Sequence, residues 1–291
     1  MRSYNTYLRP TTLNDALDRL SELGERARIL AGGTGLYELS REGLLSGVTA
    51  QIDIQDIGLD HVKRSTDSTV IGSAVTFTDI MRNSTLNSIQ EFSAILEATR
   101  LVRPVQVRNV GTIGGTICMG LPFLDLPCSL LALDASVRLR SVHAERTVSL
   151  KEFIKGYFQI DLAENELLTE IKIPNREPYA FSAFQKFAMT GDDWAIANLA
   201  AWVKGDGNGR IKAARVFAGA VGDNYVELAE AENALRERQL SAEVVEEASD
   251  VASRSVEPAS DMRASSSYRK KLLRVLAKRA FLSIKKRMEF A

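Results

Sequence analysis

A chain of 291 residues with 37 Lys and Arg against 37 Asp and Glu has no formal net charge at pH 7, which removes the global electrostatic case for binding nucleic acid. At 45% hydrophobic and 25% charged residues it reads as a soluble globular protein of one large domain or two to three small ones, and no apolar run reaches the length of a membrane span. Two cysteines, Cys118 and Cys128, and two histidines, His61 and His143, are too few for a disulfide framework, a cysteine-ligated cluster or a metal quartet within the chain.

The first residues, Met1-Arg2-Ser3-Tyr4-Asn5-Thr6, carry no apolar stretch of the signal-peptide kind, and the expectation is a cytoplasmic protein. After Pro10, Thr12-Leu13-Asn14-Asp15 reads as a capping box. Leu13, Ala16, Leu17, Leu20 and Leu23 then recur at helical spacing, and Gly24 supplies a stop. Ala27–Leu30 is a strand candidate running straight into Ala31-Gly32-Gly33-Thr34-Gly35. Short β-type runs follow at 51–54, 61–64 and 69–71, with Ser65-Thr66-Asp67-Ser68 turning between the last two. Helices are predicted over 78–83 and 88–102, before a second glycine-rich stretch, Gly111-Thr112-Ile113-Gly114-Gly115-Thr116. A helix over 125–134 tolerates Pro127 in its first turn. Strands at 136–142 and 167–173 bracket a short helix at 149–155, and Pro174 to Pro178 marks a boundary. Strands at 179–187, 194–204 and 211–221, the last two joined through Gly205-Asp206-Gly207-Asn208-Gly209, read as an antiparallel meander. Helices at 226–236, 242–253 and 266–288 close the chain. Strands and helices are segregated rather than alternating, which makes the fold class α+β.

The two glycine-rich stretches lie roughly eighty residues apart. Glycine lets a backbone reach positive φ and approach a ligand with no Cβ in the way, and successive amides so arranged make an anion-binding concavity. Two such stretches point to a ligand with two phosphates held from both sides, although either alone is compatible with a plain tight turn. The fingerprint G-x-G-x-x-G and the ending G-K-[ST] are both absent. No Ser-His-Asp set or other catalytic constellation is legible.

The segments Ala31-Gly32-Gly33-Thr34-Gly35-Leu36 and Arg108-Asn109-Val110-Gly111-Thr112-Ile113-Gly114-Gly115 are followed by Pro122-Phe123-Leu124-Asp125-Leu126-Pro127. Phe184-Gln185-Lys186, Gly191-Asp192-Asp193-Trp194-Ala195, Tyr268-Arg269-Lys270-Lys271 and Lys278-Arg279-Ala280 come after. Carrying these motifs nearly end to end, the chain resembles the FAD-binding medium subunit of the molybdenum hydroxylases, the family of carbon monoxide dehydrogenase, quinoline oxidoreductase and the flavin domain of xanthine dehydrogenase. The resemblance implies an N-terminal α+β region, an antiparallel middle sheet and a C-terminal three-stranded sheet with helices. It places an FAD-binding domain at 1–175, in two subdomains of about 1–56 and 57–175, and a C-terminal domain at 176–291. It implies that Ala31, Gly32, Gly33, Thr34 and Gly35, with Thr112, Ile113, Gly114, Gly115 and Thr116, clamp the FAD pyrophosphate through backbone amides. Asp125 is implied on the ribitol or ribose, and Lys186 and Trp194 near the flavin.

Each of these has a second reading from the residues alone. Asp125 also suits a helix N-terminus, Lys186 a solvent-facing strand position, and Trp194 the core of an apolar strand. Cys118 and Cys128 read as buried, inert thiols, and both histidines as surface residues. The basic residues of the last helix suit either a solvated face or a subunit-docking surface, with Leu273, Leu276, Ala280 and Ile284 as its apolar stripe.

The family's function follows as an expectation: an electron-transfer flavoprotein subunit, in a cytoplasmic heterohexamer, with no residue acting as acid, base or nucleophile. A large subunit would carry molybdopterin and a small one two [2Fe–2S] clusters, with NAD, oxygen or a quinone as acceptor. A stand-alone flavin-dependent NAD(P)H oxidoreductase and a scaffold subunit that has lost FAD are the alternatives. The chain departs from the family pattern at Gly35, where a polar side chain is usual, at Thr116, and in the apolar Ile117-Cys118-Met119-Gly120-Leu121-Pro122.

Overall fold

Parallel strands, whose carboxyl ends open onto a crevice, begin the fold. The computed structural model describes residues 6–290, so residues 1–5, most of the segment inspected for a signal peptide, lie outside the described residues. Strand β1 (Thr6–Leu8) leads through helix α1 (Leu13–Leu23) to β2 (Ala27–Leu30), and helix α2 (Thr34–Arg41) leads on to β3 (Ala50–Asp53). The three pair in parallel with β3 at the centre. Thr12 caps α1, its hydroxyl accepting from the Asp15 amide at 3.2 Å, while the Asp15 carboxylate turns to Arg19 at 3.3 Å. Ala16, Leu17 and Leu20 bury against Ala50 and Ile52. Ligands of such sheets gather where the strands end, and β2 ends at the first glycine stretch.

Helix α2 is missing from the sequence-based expectation, because Gly-Gly-Thr-Gly reads as a breaker. Gly33, at φ 72°, is instead the N-cap of the helix.

The middle region begins with β4 (Val62–Arg64) and β5 (Ser68–Gly72). Helices α3 (Phe77–Arg82), α4 (Ser84–Asn87), α5 (Ser93–Arg100), α6 (Val105–Val110), α7 (Ile113–Cys118) and α8 (Asp125–Ala132) come next. Strands β6 (Ser136–Arg140) and β7 (Glu145–Ser149), helix α9 (Leu150–Phe153), the hairpin β8 (Ile154–Gly156) and β9 (Gln159–Ile160), and β10 (Leu167–Pro174) complete it. Five strands pair antiparallel in the order β4-β5-β10-β6-β7. The helix expected over 88–102 is broken by a 3-10 turn at Gln90–Phe92. There Glu91 is drawn inward to accept from the Arg176 amide at 2.9 Å and from Trp202 Nε1 at 3.1 Å.

The expected meander forms from β11 (Ala180–Phe187), β12 (Ala197–Gly205) and β13 (Ile211–Gly219), with the two-residue strand β14 (Val226–Glu227) added at its edge. Helices α10 (Ala229–Leu235), α11 (Ala242–Arg254) and α12 (Ser266–Glu289) follow. Side chains alternate across a strand, and here both faces are covered. Phe184, Ala200, Trp202 and Phe217 join the core around α5 and α8. Ala183, Leu199, Ala201, Val203 and Val216 meet the buried stripe of α12, which holds Leu273, Leu276, Ala280 and Ile284. The cations of α12 are not all solvated: Arg269 is 5% exposed, Arg274 and Lys278 pair with α11 through Glu246, and Arg287 pairs with Glu97 of α5.

Candidate cofactor site

One cleft, with a volume of ≈ 2170 Å³, runs from α2 past α7 and the start of α8 to the connection between β11 and β12. That exceeds the roughly 300–1,000 Å³ of an ordinary small-molecule pocket and suits a long ligand. Ala31, Gly32, Gly33, Thr34 and Gly35 all line it. Gly32 is needed for close approach rather than for its φ, since a Cβ there would stand 1.8 Å from the Val110 carbonyl oxygen. The first amides of a helix have no acceptor within it, and those of α2 begin at the cleft wall. Gly35 leaves room for Met119, whose Sδ would be 2.5 Å from a Cβ at that position. Two of the departures from the family pattern, Gly35 and the apolar segment that carries Met119, therefore fit each other.

The second glycine stretch differs from its expectation. It is a helix start rather than a loop, and none of its glycines has positive φ. The amides of Ile113 to Thr116 already have partners within the protein. Ile113 donates to Val75 O, Gly114 to Ser73 O, Gly115 to Thr112 Oγ1 and Thr116 to Thr112 O. The stretch forms a closely packed wall, in which a Cβ on Gly114 would meet Ser73 Cβ at 2.6 Å. Thr112, Gly114, Gly115 and Thr116 line the cleft. Ile113 does not: its side chain is wholly buried in the middle core.

At the other end Asp125 opens α8, and its carboxylate meets Lys186 Nζ at 2.7 Å and Asn198 Nδ2 at 3.1 Å. Lys186 and Asn198 are cross-strand partners on β11 and β12, so both point to the face covered by α8. The Lys186 side chain is 9% exposed, which corrects the solvent-facing alternative. Burial raises the Asp125 carboxyl above its usual range, opposed by the Lys186 charge and by the hydrogen bonds from Lys186 and Asn198. Tyr225, which sequence reasoning missed, donates to Leu121 O at 2.9 Å and Leu124 O at 2.8 Å. It ties down the turn that delivers Asp125, and a lone tyrosine about a hundred residues away carries no sequence signal of that role.

Trp194 falls outside β12 and is 43% exposed, which corrects its core-strand alternative. Its ring lies 4.7 Å from Phe123 at an interplanar angle of 32°, and both line the cleft. Burial pushes the Cys118 thiol up to about 12, and that of Cys128 well above its ordinary value. Among the described residues no group of His, Cys, Asp and Glu could hold a metal ion.

The residues fit a long polar cofactor. Ser73 Oγ, a buried hydroxyl without a hydrogen-bond partner among the described residues, belongs to a cleft-lining side chain. Such groups ordinarily have a partner. A glycine-walled cleft with a helix start at one end and a buried acid–lysine pair with an aromatic stack at the other defines a flavoprotein-type cofactor carrier.

Comparison with known proteins makes this specific. Residues 2–176 match the model of the FAD binding domain in molybdopterin dehydrogenase, and residues 182–284 that of the CO dehydrogenase flavoprotein C-terminal domain. The chain is 32% identical to the glyceraldehyde dehydrogenase medium chain of Sulfolobus acidocaldarius, over 96% of this chain and 98% of that one. It superposes on a chain of carbon monoxide dehydrogenase from Hydrogenophaga pseudoflava with a TM-score of 0.90 and 29% identity, covering 99% of each chain. With quinoline 2-oxidoreductase from Pseudomonas putida 86 the TM-score is 0.89, at 25% identity and 99% coverage of each chain. The chain belongs to the FAD-binding medium subunits of the molybdenum hydroxylase family, and is a subunit of an oxidoreductase.

Proposed function

We propose that this chain is the electron-transfer subunit of a molybdenum hydroxylase complex, carrying FAD between the [2Fe–2S] clusters of a small partner and an external acceptor. A large partner carries molybdopterin and oxidises the substrate, within a cytoplasmic heterohexamer. Bound FAD supplies the redox chemistry, and the protein supplies position and electrostatics. The observation that carries this reading is the cleft that joins the first glycine stretch to Asp125, Lys186 and Trp194.

In this assignment the α2 start holds phosphate through its free amides and the helix dipole. The wall of Thr112, Gly114, Gly115 and Thr116 closes the opposite side, with Ser73 and Thr116 hydroxyls as hydrogen-bond partners. Asp125 and Lys186 orient the ribityl and flavin end, and Trp194 covers the ring. No residue of the chain transfers a proton in a chemical step. We assign 1–175, in subdomains of about 1–56 and 57–175, to the FAD-binding domain and 176–291 to the C-terminal domain. The cores around β3 and around α12 support this division, and Phe184, Ala200, Trp202 and Phe217 tie the C-terminal sheet to the middle core.

The test is to purify the chain with its neighbours and record absorbance with and without added FAD. Flavin bands on a peak containing a larger and a smaller partner support the reading. Flavin on the chain alone, reduced by NAD(P)H, replaces it with a stand-alone oxidoreductase, and an assembled complex that takes up no flavin overturns it.

A further inference from the structure

Three successive carbonyls, those of Trp194, Ala195 and Ile196, are gripped by two arginines, Arg263 from the connection between α11 and α12 and Arg269 from the first turn of α12. Arg263 Nη2 donates to Trp194 O at 2.6 Å and Ala195 O at 3.1 Å. Arg269 Nη1 donates to Ile196 O at 2.6 Å and Ala220 O at 2.8 Å. Asp261 aims both. Its Oδ1 accepts from the amides of Arg263 and Ala264, each at 2.9 Å, and its Oδ2 accepts from Arg269 Nη2 at 2.7 Å. Hydrogen bonds from a guanidinium are among the stronger ones, and its planar fork fixes direction as well as distance. The segment so held carries the Trp194 ring onto Phe123 at the cleft.

We infer that Asp261, Arg263 and Arg269 form a latch that sets where Trp194 stands over the cofactor cleft. Arg263 is a positioning residue: it touches the backbone of Trp194, and its effect passes through that ring. The consequence for FAD rests on the reading above that Trp194 covers the flavin. Arg269 is buried and holds several elements together, whereas Arg263 is exposed, so Arg263 can be replaced without opening the core.

The experiment uses the full chain. Trp202 is 3% exposed, so acrylamide quenching reports on Trp194, the other of the two tryptophans. Arg263→Ala is expected to raise the quenching constant, and Arg263→Lys to restore much of the wild-type value. FAD affinity is then measured in the wild type, Arg263→Ala, Trp194→Ala and the double variant. Arg263→Ala is expected to weaken binding about threefold to tenfold, and to have no further effect once Trp194 is gone. A merely structural arginine would act equally in both backgrounds. Unchanged quenching, or equal losses in the two backgrounds, overturns the latch. If Trp194→Ala leaves FAD affinity and flavin fluorescence unaltered, the placement of Trp194 over the flavin fails instead, and quenching alone decides the latch.

Discussion

Gly32 lies so close to Val110 that the two glycine-rich stretches, distant in sequence, touch in the fold: a Cβ on Gly32 would be 1.8 Å from the Val110 carbonyl oxygen and 2.9 Å from Gly111 Cα. The contact joins the N-terminal parallel layer to the middle region beside the cleft.

Gly32→Ala therefore drives a methyl group into backbone that cannot rotate away. Overpacking costs about 1–3 kcal/mol, and with a backbone carbonyl in the way the upper end is expected. Gly43→Ala is the comparison, since its site is open and only its φ of 74° resists a side chain. Urea denaturation should show the larger loss at Gly32, together with weaker FAD uptake.

Lys186→Met leaves the buried Asp125 carboxylate without its cation. Removing one partner of a buried ion pair costs about 3–5 kcal/mol, whereas replacing both is far milder. Asp125→Asn with Lys186→Met should recover most of the loss in thermal melts at pH 7. Equal damage from the single and double variants would mean the pair is not the origin of the cost.

Thr112 starts α7, accepting the Gly115 amide at 3.1 Å. Thr112→Ala should lower stability by about 1 kcal/mol and speed hydrogen exchange at Gly115. Thr112→Ser, which keeps the oxygen, should restore protection.

Glu232 is buried beneath β13, where its Oε1 accepts the Val216 amide at 2.8 Å. Burial raises its carboxyl above the ordinary range, against the lowering effect of that hydrogen bond. A raised folded pKa means that the native state binds more protons than the unfolded state between the two values. The stabilisation is complete below the unfolded pKa, about 4.3 for glutamate, and is lost as pH rises through the raised one. Glu232→Gln keeps the Oε1 acceptor and does not titrate. Its stability relative to the wild type should improve from pH 4 to pH 8 in paired urea titrations.

Much of the fold could be read along the chain. The Thr12 cap and the leucine spacing of α1, the strand β2 and the meander β11 to β13 follow from local chemistry: a hydroxyl that caps, a period near 3.6, a period of two. The α2 helix escaped because a glycine at positive φ serves equally as a helix cap and as a turn, and the sequence around Gly33 does not distinguish them. The break at Gln90–Phe92 escaped because Glu91 is pulled inward by Trp202 and Arg176, partners far away in the chain.

By itself the sequence determined the order of the segments and the two small-residue stretches, because these depend on nearest neighbours and on side-chain size. Tertiary structure alone decided which groups remain free to meet a ligand. The amides of Ile113 to Thr116 are consumed by Val75, Ser73 and Thr112, and Lys186 is turned inward because α8 covers its face of the sheet with Asp125. Trp194 lies at the cleft with its carbonyl held by Arg263, and the carbonyl of Ile196 beyond it by Arg269, both some seventy residues later. A polar group's availability depends on every partner within hydrogen-bond reach, and those partners are set by folding rather than by position along the chain.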